Sequence, residues 1–163
     1  MSGGPIPVLY TTTDAIRATL GLTRRELYDF QITDLEIGEL LLIDLATVYP
    51  DHLALAAAIK NGTATDEEIA TWTILCQYTK YQAATYLLPQ LQMLVTQRIS
   101  DGDVEVTRFG PDLQATIDRI LGMRDKFLAL LNPDLAGTYW PLLPVAVVTP
   151  DYDPVVNGPY TTI

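Results

Sequence analysis

The chain has 163 residues, of which 48% are hydrophobic and 18% charged, and its 20 acidic residues outnumber 10 basic ones. This length is typical of one globular domain with its own core. The net charge of −10 at pH 7 argues against a surface that wraps nucleic acid, which needs clustered Lys and Arg. The single cysteine, Cys76, cannot form an internal disulfide, so a reducing compartment is expected. We expect neither a signal peptide nor a membrane span, because no apolar run has the required length or flanks.

Capping signals predict where the first helices begin and end. The first ten residues, rich in Gly and Pro, are expected to be extended, and "TTTDAIRATLG" predicts a short helix with a Thr cap that stops at Gly21. "TDLEIGELLLIDLATVYP" predicts a helix that reaches Pro50, and "DHLALAAAIKNG" predicts a shorter helix that ends at Gly62. Three capping boxes of the Thr-x-x-Glu kind mark further helix starts: Thr23 with Glu26, Thr33 with Glu36, and Thr65 with Glu68.

Helical spacing of apolar residues continues through the rest of the bundle. The longest helix is predicted from Asp66 to about Ile99, with a kink or a break near Pro89. A last helix starts at Pro111-Asp112 and ends at Asn132-Pro133. We expect these positions to be buried: Leu35, Leu41 or Leu42, Leu45, Val48, Ile69, Trp72, Cys76, Ala83, Leu87, Leu91, Leu94, Val95, Leu113, Ile117, Ile120, Leu121, Phe127, Leu128 and Leu131. The prediction is an all-α helical bundle over residues 1–132.

The segment 133–163 differs in kind and is predicted to be an extended C-terminal arm. It holds six of the eleven prolines and no Lys or Arg, and proline at this density excludes helix and central strand alike. It is nevertheless too apolar for a solvated tail, so it needs a surface to cover. That surface is either its own bundle or a neighbouring subunit or other protein. The expected interface residues are Tyr139, Trp140, Leu142, Leu143, Val147, Val148, Tyr152, Tyr160 and Ile163.

Catalytic motifs are hard to find in this sequence. His52 is the only histidine, follows Pro50-Asp51 at a helix start, and is expected to have a surface or capping role. Metal sites built from His and Cys are ruled out by counting. Glu36 and Glu39, at i and i+3, could hold Mg²⁺ as in all-helical nucleotide pyrophosphatases, although the answering Glu-x-x-Asp half of that motif is missing. We expect both to be capping and surface acids, and predict no enzyme, no cofactor and no metal, with a Mg²⁺-dependent nucleotide pyrophosphatase as the alternative.

The order of elements resembles that of the head–tail connector (adaptor, or head-completion) proteins of tailed bacteriophages. The resemblance rests on "YTTTDAIRATLGL", on "DLEIGELLLIDLATV", on the long helix, and on "SDGDVEVTRF" before the final helix, and it covers roughly residues 8 to 131. It implies a non-catalytic virion protein, made in the host cytoplasm, that forms a ring at the phage neck, commonly of twelve copies. Such a ring would join the portal to a tail or nozzle protein and let DNA pass, at ejection, without specific binding. It also implies that the C-terminal segment reaches onto the portal.

The stretch between the two long helices allows two interpretations. "SDGD" predicts a turn and "VEVT" a short strand, which could simply cover one end of the bundle. Alternatively, the run from Val104 through Val106 to Thr107 pairs with an extended segment of a neighbouring subunit. Asp101, Asp103 and Glu105 would then face a channel whose negative lining repels phosphates. The spacing alone does not separate the two.

Overall fold

The computed structural model describes residues 7–33, 37–91, 99–101, 104–106 and 112–135. Helices account for 79% of the interpretable residues, which confirms the prediction of an all-α bundle. Two short antiparallel hairpins accompany the helices. The strands are β1 (Pro7–Val8), β2 (Thr11–Thr12), β3 (Ile99–Asp101) and β4 (Val104–Val106). The helices are α1 (Thr13–Leu20), α2 (Asp29–Thr33), α3 (Ile37–Val48), α4 (His52–Asn61), α5 (Asp66–Tyr86), α6 (residues 88–91) and α7 (Asp112–Leu131), followed by a 3₁₀ turn (Pro133–Leu135).

The first helix begins and ends where its caps predict. The hydroxyl of Thr12 accepts a hydrogen bond from the backbone N–H of Ala15 at 3.2 Å, and this satisfies one of the free amides of the first turn. Gly21 ends the helix in the left-handed conformation, with φ of 71°, which glycine adopts without steric cost. Of the residues expected to be extended, Pro7–Val8 form β1, which pairs with β2; Thr11–Thr12, placed at the start of the helical stretch by the sequence, form β2.

The prediction of a helix starting at Thr23 is wrong. The backbone N–H of Thr23 donates to the side chain of Glu26 at 2.7 Å, but residues 24–27 form turns and a bend, and the helix starts only at Asp29. The carbonyl of Leu27 accepts a hydrogen bond from the buried guanidinium of Arg17 at 3.1 Å. The Leu27 carbonyl is thus tied to α1, and the N–H of Gln31 bonds the carbonyl of Tyr28 at 3.1 Å.

The capping box at Thr65 is complete, and α5 begins beside it. The Thr65 hydroxyl accepts from the N–H of Glu68 at 3.2 Å, and the Glu68 carboxylate accepts from the N–H of Thr65 at 2.7 Å. Gly62, with φ of 67°, ends α4 as predicted. The box at Thr33 and Glu36 lies partly outside the described residues.

The long helix is interrupted, as the position of Pro89 predicts. α5 ends at Tyr86, Leu87 caps it, and helical structure resumes at residues 88–91. Pro89 thus falls in the first turn of the following helix, where its missing N–H needs no partner. Ile99, near which the helix was expected to end, belongs to β3, and residues 92–98 lie outside the described residues.

The core consists of two hydrophobic clusters. The first joins α1, α3, the end of α5 and the start of α7, through Ile16, Leu20, Leu41, Leu87 and Ile120. The second joins the ends of α3 and α7 to the middle of α5, with these buried residues: Leu45, Val48, Leu55, Leu75, Tyr78 and Leu128. The sequence did not decide which of Leu41 and Leu42 is buried, and the structure buries Leu41. Ile69, expected in the core, is 47% exposed, and Leu35, Leu94 and Val95 lie outside the described residues.

Polar side chains mark the boundary between the two clusters. Gln82 falls between Tyr78 and Ala83 on α5 and donates to Asp44 of α3 at 2.6 Å. The hydroxyl of Tyr86 also donates to this Asp44 carboxylate. On the buried face of α7, Arg124 binds its neighbour Asp125 through Nε and Nη2 at 2.8 and 2.6 Å. The bonds of Gln82 and Tyr86 to Asp44 join α5 to α3, because a hydrogen-bond partner lowers the cost of burying a polar atom.

Candidate functional site

The outer face of α3 exposes three large apolar side chains. Four of its residues face the core and are fully buried: Ile37, Leu41, Leu45 and Val48. On the opposite side, Leu40, Leu42 and Ile43 are 41%, 46% and 66% exposed. A helix that is apolar on both sides is expected to be covered on both sides. We call Leu40, Leu42 and Ile43 the outer patch.

Charge is nearly absent from the outer patch. α3 carries two acidic residues, Glu39 and Asp44, and no basic residue. Asp44 turns inward to accept hydrogen bonds from Gln82 and Tyr86, so Glu39 is the one ionisable side chain that α3 exposes next to the patch. In a chain of net charge −10, such a weakly charged surface is where another acidic molecule meets the least repulsion.

Tyr28 and Phe30 form a smaller exposed aromatic pair beside α2. Their rings stack with centroids 5.7 Å apart and an interplanar angle of 11°, and they are 51% and 59% exposed. Two exposed basic residues, Arg24 and Arg25, precede the pair in the chain, and Arg24 pairs with Asp29 at 2.6 Å. This surface differs in chemistry from the outer patch, since it is aromatic rather than aliphatic.

The interface residues expected on the C-terminal arm lie outside the described residues, from Tyr139 to Ile163. The structure does describe where the arm begins. Asn132, at the end of α7, donates from its side-chain amide to the carbonyl of Val48 at 3.3 Å, and Leu135 packs against the second core cluster. The chain therefore enters the arm beside the carboxyl end of α3.

The short strand expected at residues 104–107 is present as β4, Val104–Val106. It pairs antiparallel with β3 of the same chain, with Asp101 opposite Val104, Ser100 opposite Glu105 and Ile99 opposite Val106. One edge of β4 is thus occupied from within the subunit. Asp103 lies outside the described residues, and the pairing with a neighbour stays a prediction.

His52 is buried rather than at the surface, which corrects the sequence interpretation. It is 3% exposed, and its Nδ1 lies 2.8 Å from the hydroxyl of Tyr10. Burial lowers the pKa of His52, because a charged imidazole loses its hydration there. Burial likewise raises the pKa of the Cys76 thiol, which keeps it protonated and weakly nucleophilic. Trp72 completes the cluster, with its ring edge-on to Tyr10 at a centroid distance of 4.9 Å.

The acids that could have bound Mg²⁺ are only partly described. Glu39 is exposed on α3, whereas Glu36 lies outside the described residues. Within the part of the chain that the structure describes, no group of three or more His, Cys, Asp and Glu is placed to hold a metal ion. The Glu68 carboxylate accepts hydrogen bonds from Thr65 in the capping box, and these bonds lower the pKa of Glu68.

Sequence reasoning missed the outer patch and the turn at Tyr10. The signal for the patch was present in "ELLLIDLA", where apolar residues follow one another without the polar positions that a one-sided helix requires. The signal for the turn was weaker. Leu9 and Tyr10 adopt positive φ values of 25° and 62°, and turns with such values usually carry Gly or Asn rather than Leu or Tyr.

No single helix within the described ranges is both long and apolar enough to cross a membrane, and α3 and α4 meet that test only as a pair bent by 103°. Comparison of the chain with protein-family models, with curated proteins and with solved structures found no match.

Proposed function

We propose that this chain is a structural subunit that assembles into a ring at the neck of a tailed bacteriophage, between the portal and the tail. The observation that carries the assembly part is the outer patch of α3, where three large aliphatic side chains stand exposed on a helix whose other side fills the core. Such a surface is typical of a subunit that is incomplete alone. The neck assignment rests on the resemblance to head–tail connector proteins described above.

The charge of the chain supports a conduit rather than a DNA-binding protein. A net charge of −10 gives a ring of such subunits a negative potential that repels phosphates. DNA would then pass without adhering, since binding it requires release of counterions by Lys and Arg. In this proposal the bundle forms the body of the ring, and the C-terminal arm and the hairpin of β3 and β4 contact neighbouring subunits or the portal.

Native mass spectrometry and negative-stain electron microscopy of the purified protein, alone and mixed with the portal, test this proposal. We expect a closed oligomer of one defined copy number, ring-shaped in projection, in at least one of the two samples. A monomer in both samples would contradict it. Mg²⁺-dependent release of pyrophosphate from nucleotides by the same preparation would instead favour the enzyme alternative.

A further inference from the structure

The outer patch of α3 stays exposed even though the root of the C-terminal arm lies beside it. Ile43 is 66% exposed in the single chain, while Asn132 bonds the carbonyl of Val48 at the end of the same helix. Among the described residues, nothing covers the patch, so it is available as an apolar docking face. Because α3 is about 18 Å long at 1.5 Å per residue, a ten-residue extended segment is long enough to follow it from end to end.

The chain itself contains a segment whose chemistry matches the patch. Residues 136–150 include no Asp, Glu, Lys or Arg, yet they contain Tyr139, Trp140, Leu142 and Leu143. Between two copies that each carry −10, contact is least opposed where both surfaces are uncharged. This condition is met by the outer patch, which has Glu39 beside it, and by the uncharged segment 136–150. Buried aromatic side chains of this kind usually dominate the energy of an interface.

We propose that residues 139–148 of one copy bind the outer patch of α3 of a neighbouring copy. The inference rests on the proposed function, because it names the contact that would join subunits of the ring. It differs from the expectation that the arm reaches the portal, since it assigns residues 139–148 to a neighbouring subunit and leaves the remaining residues to any other partner.

Disulfide trapping between two differently tagged full-length chains tests this contact. Both chains carry Cys76→Ser, one carries Ile43→Cys and the other Leu143→Cys, and they are co-expressed and then mildly oxidised. The expected result is a disulfide-linked product that contains both tags. The matched control replaces Ile43→Cys by Leu130→Cys on α7, a position of similar exposure at 57%, and should give severalfold less mixed product.

Three outcomes would overturn the inference. The first is equal trapping at Ile43 and Leu130. The second is a product in which two Ile43→Cys chains join to each other, which would mean that α3 packs on α3. The third is a closed intrachain disulfide in an Ile43→Cys/Leu143→Cys double variant without any mixed product, which would mean that the arm covers its own helix.

A charge substitution gives an independent readout in the otherwise unmodified chain. Ile43→Asp should leave thermal unfolding of the subunit nearly unchanged, because the side chain is exposed, but should shift the native mass from oligomer to monomer. Leu130→Asp should leave the oligomer intact. If oligomers form and Ile43→Asp does not affect them, this inference is wrong while the proposed function stands. If the parent protein is monomeric alone and with portal, both are wrong.

Discussion

The hydroxyl of Tyr10 lies 2.8 Å from Nδ1 of His52, a residue 42 positions further along the chain. This hydrogen bond joins the turn of the first hairpin to the start of α4. Tyr10 also packs its ring against Trp72 of α5. Both contacts hold Leu9 and Tyr10 at positive φ values, which are unfavourable for residues other than glycine.

The burial of His52 predicts that stability falls as the pH decreases through the histidine range. Its folded-state pKa is lowered, whereas the unfolded chain takes up a proton near pH 6.5. The unfolded state therefore binds more protons below that pH, and unfolding becomes easier there. The free energy of unfolding from urea titrations should be lower at pH 5.5 than at pH 8.

His52→Leu should abolish that difference between pH 5.5 and pH 8. Tyr10→Phe is the control, because it removes the hydrogen bond at a cost of about 1 kcal/mol while the imidazole still titrates. An unchanged pH dependence in His52→Leu would contradict the assignment of the effect to this residue.

The carboxylate of Asp29 should stabilise the fold at neutral pH and lose that effect in acid. Hydrogen bonds from Thr13, Arg17 and Arg24 lower the pKa of Asp29 to about 2. Because this folded-state pKa lies below the unfolded value of about 3.9, the stabilisation is present above about pH 4 and disappears as the pH falls through 2.

Asp29→Asn should cost on the order of 2 kcal/mol at pH 7, since it also leaves buried Arg17 with fewer partners. Denaturant unfolding at pH 7 and near pH 2 measures this difference, which should vanish at the lower pH. Asp51→Asn is the matched control, because Asp51 is exposed and makes no side-chain hydrogen bond as the N-cap of α4. Equal losses in the two variants would refute a special role for Asp29.

Glu36 and Glu39 should prove dispensable for both folding and chemistry. The double variant Glu36→Gln/Glu39→Gln is expected to lose well under ~2 kcal/mol of stability, which is the range of capping and helix-dipole effects. Urea unfolding measures this, and a pyrophosphate-release assay with Mg²⁺ should find no turnover in parent or variant. A hydrolase activity present in the parent and lost in the variant would instead support the enzyme alternative.

Removal of the arm should spare the bundle and abolish assembly. A chain ending after Leu135 keeps the packing of that residue on the second core cluster, so helical circular dichroism and cooperative melting should persist. A chain ending after Asn132 loses that packing and should be less stable by about 1 kcal/mol, the scale of one half-buried apolar side chain. Native mass spectrometry should find both forms monomeric. The expectation fails if the longer form unfolds, or if it assembles as the full chain does.

Local chemistry in the sequence determined most helix ends. Thr12 and Gly21 around α1, Gly62 after α4, and Thr65 with Glu68 before α5 act within one turn of the backbone, so the residues that specify each cap are neighbours in the chain. The break before Pro89 could be predicted for the same reason, because a missing N–H and a steric clash act within four residues.

Tertiary structure alone decided which apolar face became core and which segments stayed irregular. "ELLLIDLA" offers apolar residues on every side of α3, and only packing against α5 and α7 selected Leu41 and Leu45 while leaving Leu40 and Ile43 outside. Thr23 and Glu26 carry a capping signal, yet the helix starts only at Asp29, and Leu27 before it is bonded to Arg17, ten residues away. His52 became buried because Tyr10, from a distant hairpin, reached it. Such outcomes depend on long-range burial and hydrogen-bond partners, which no local window of sequence contains.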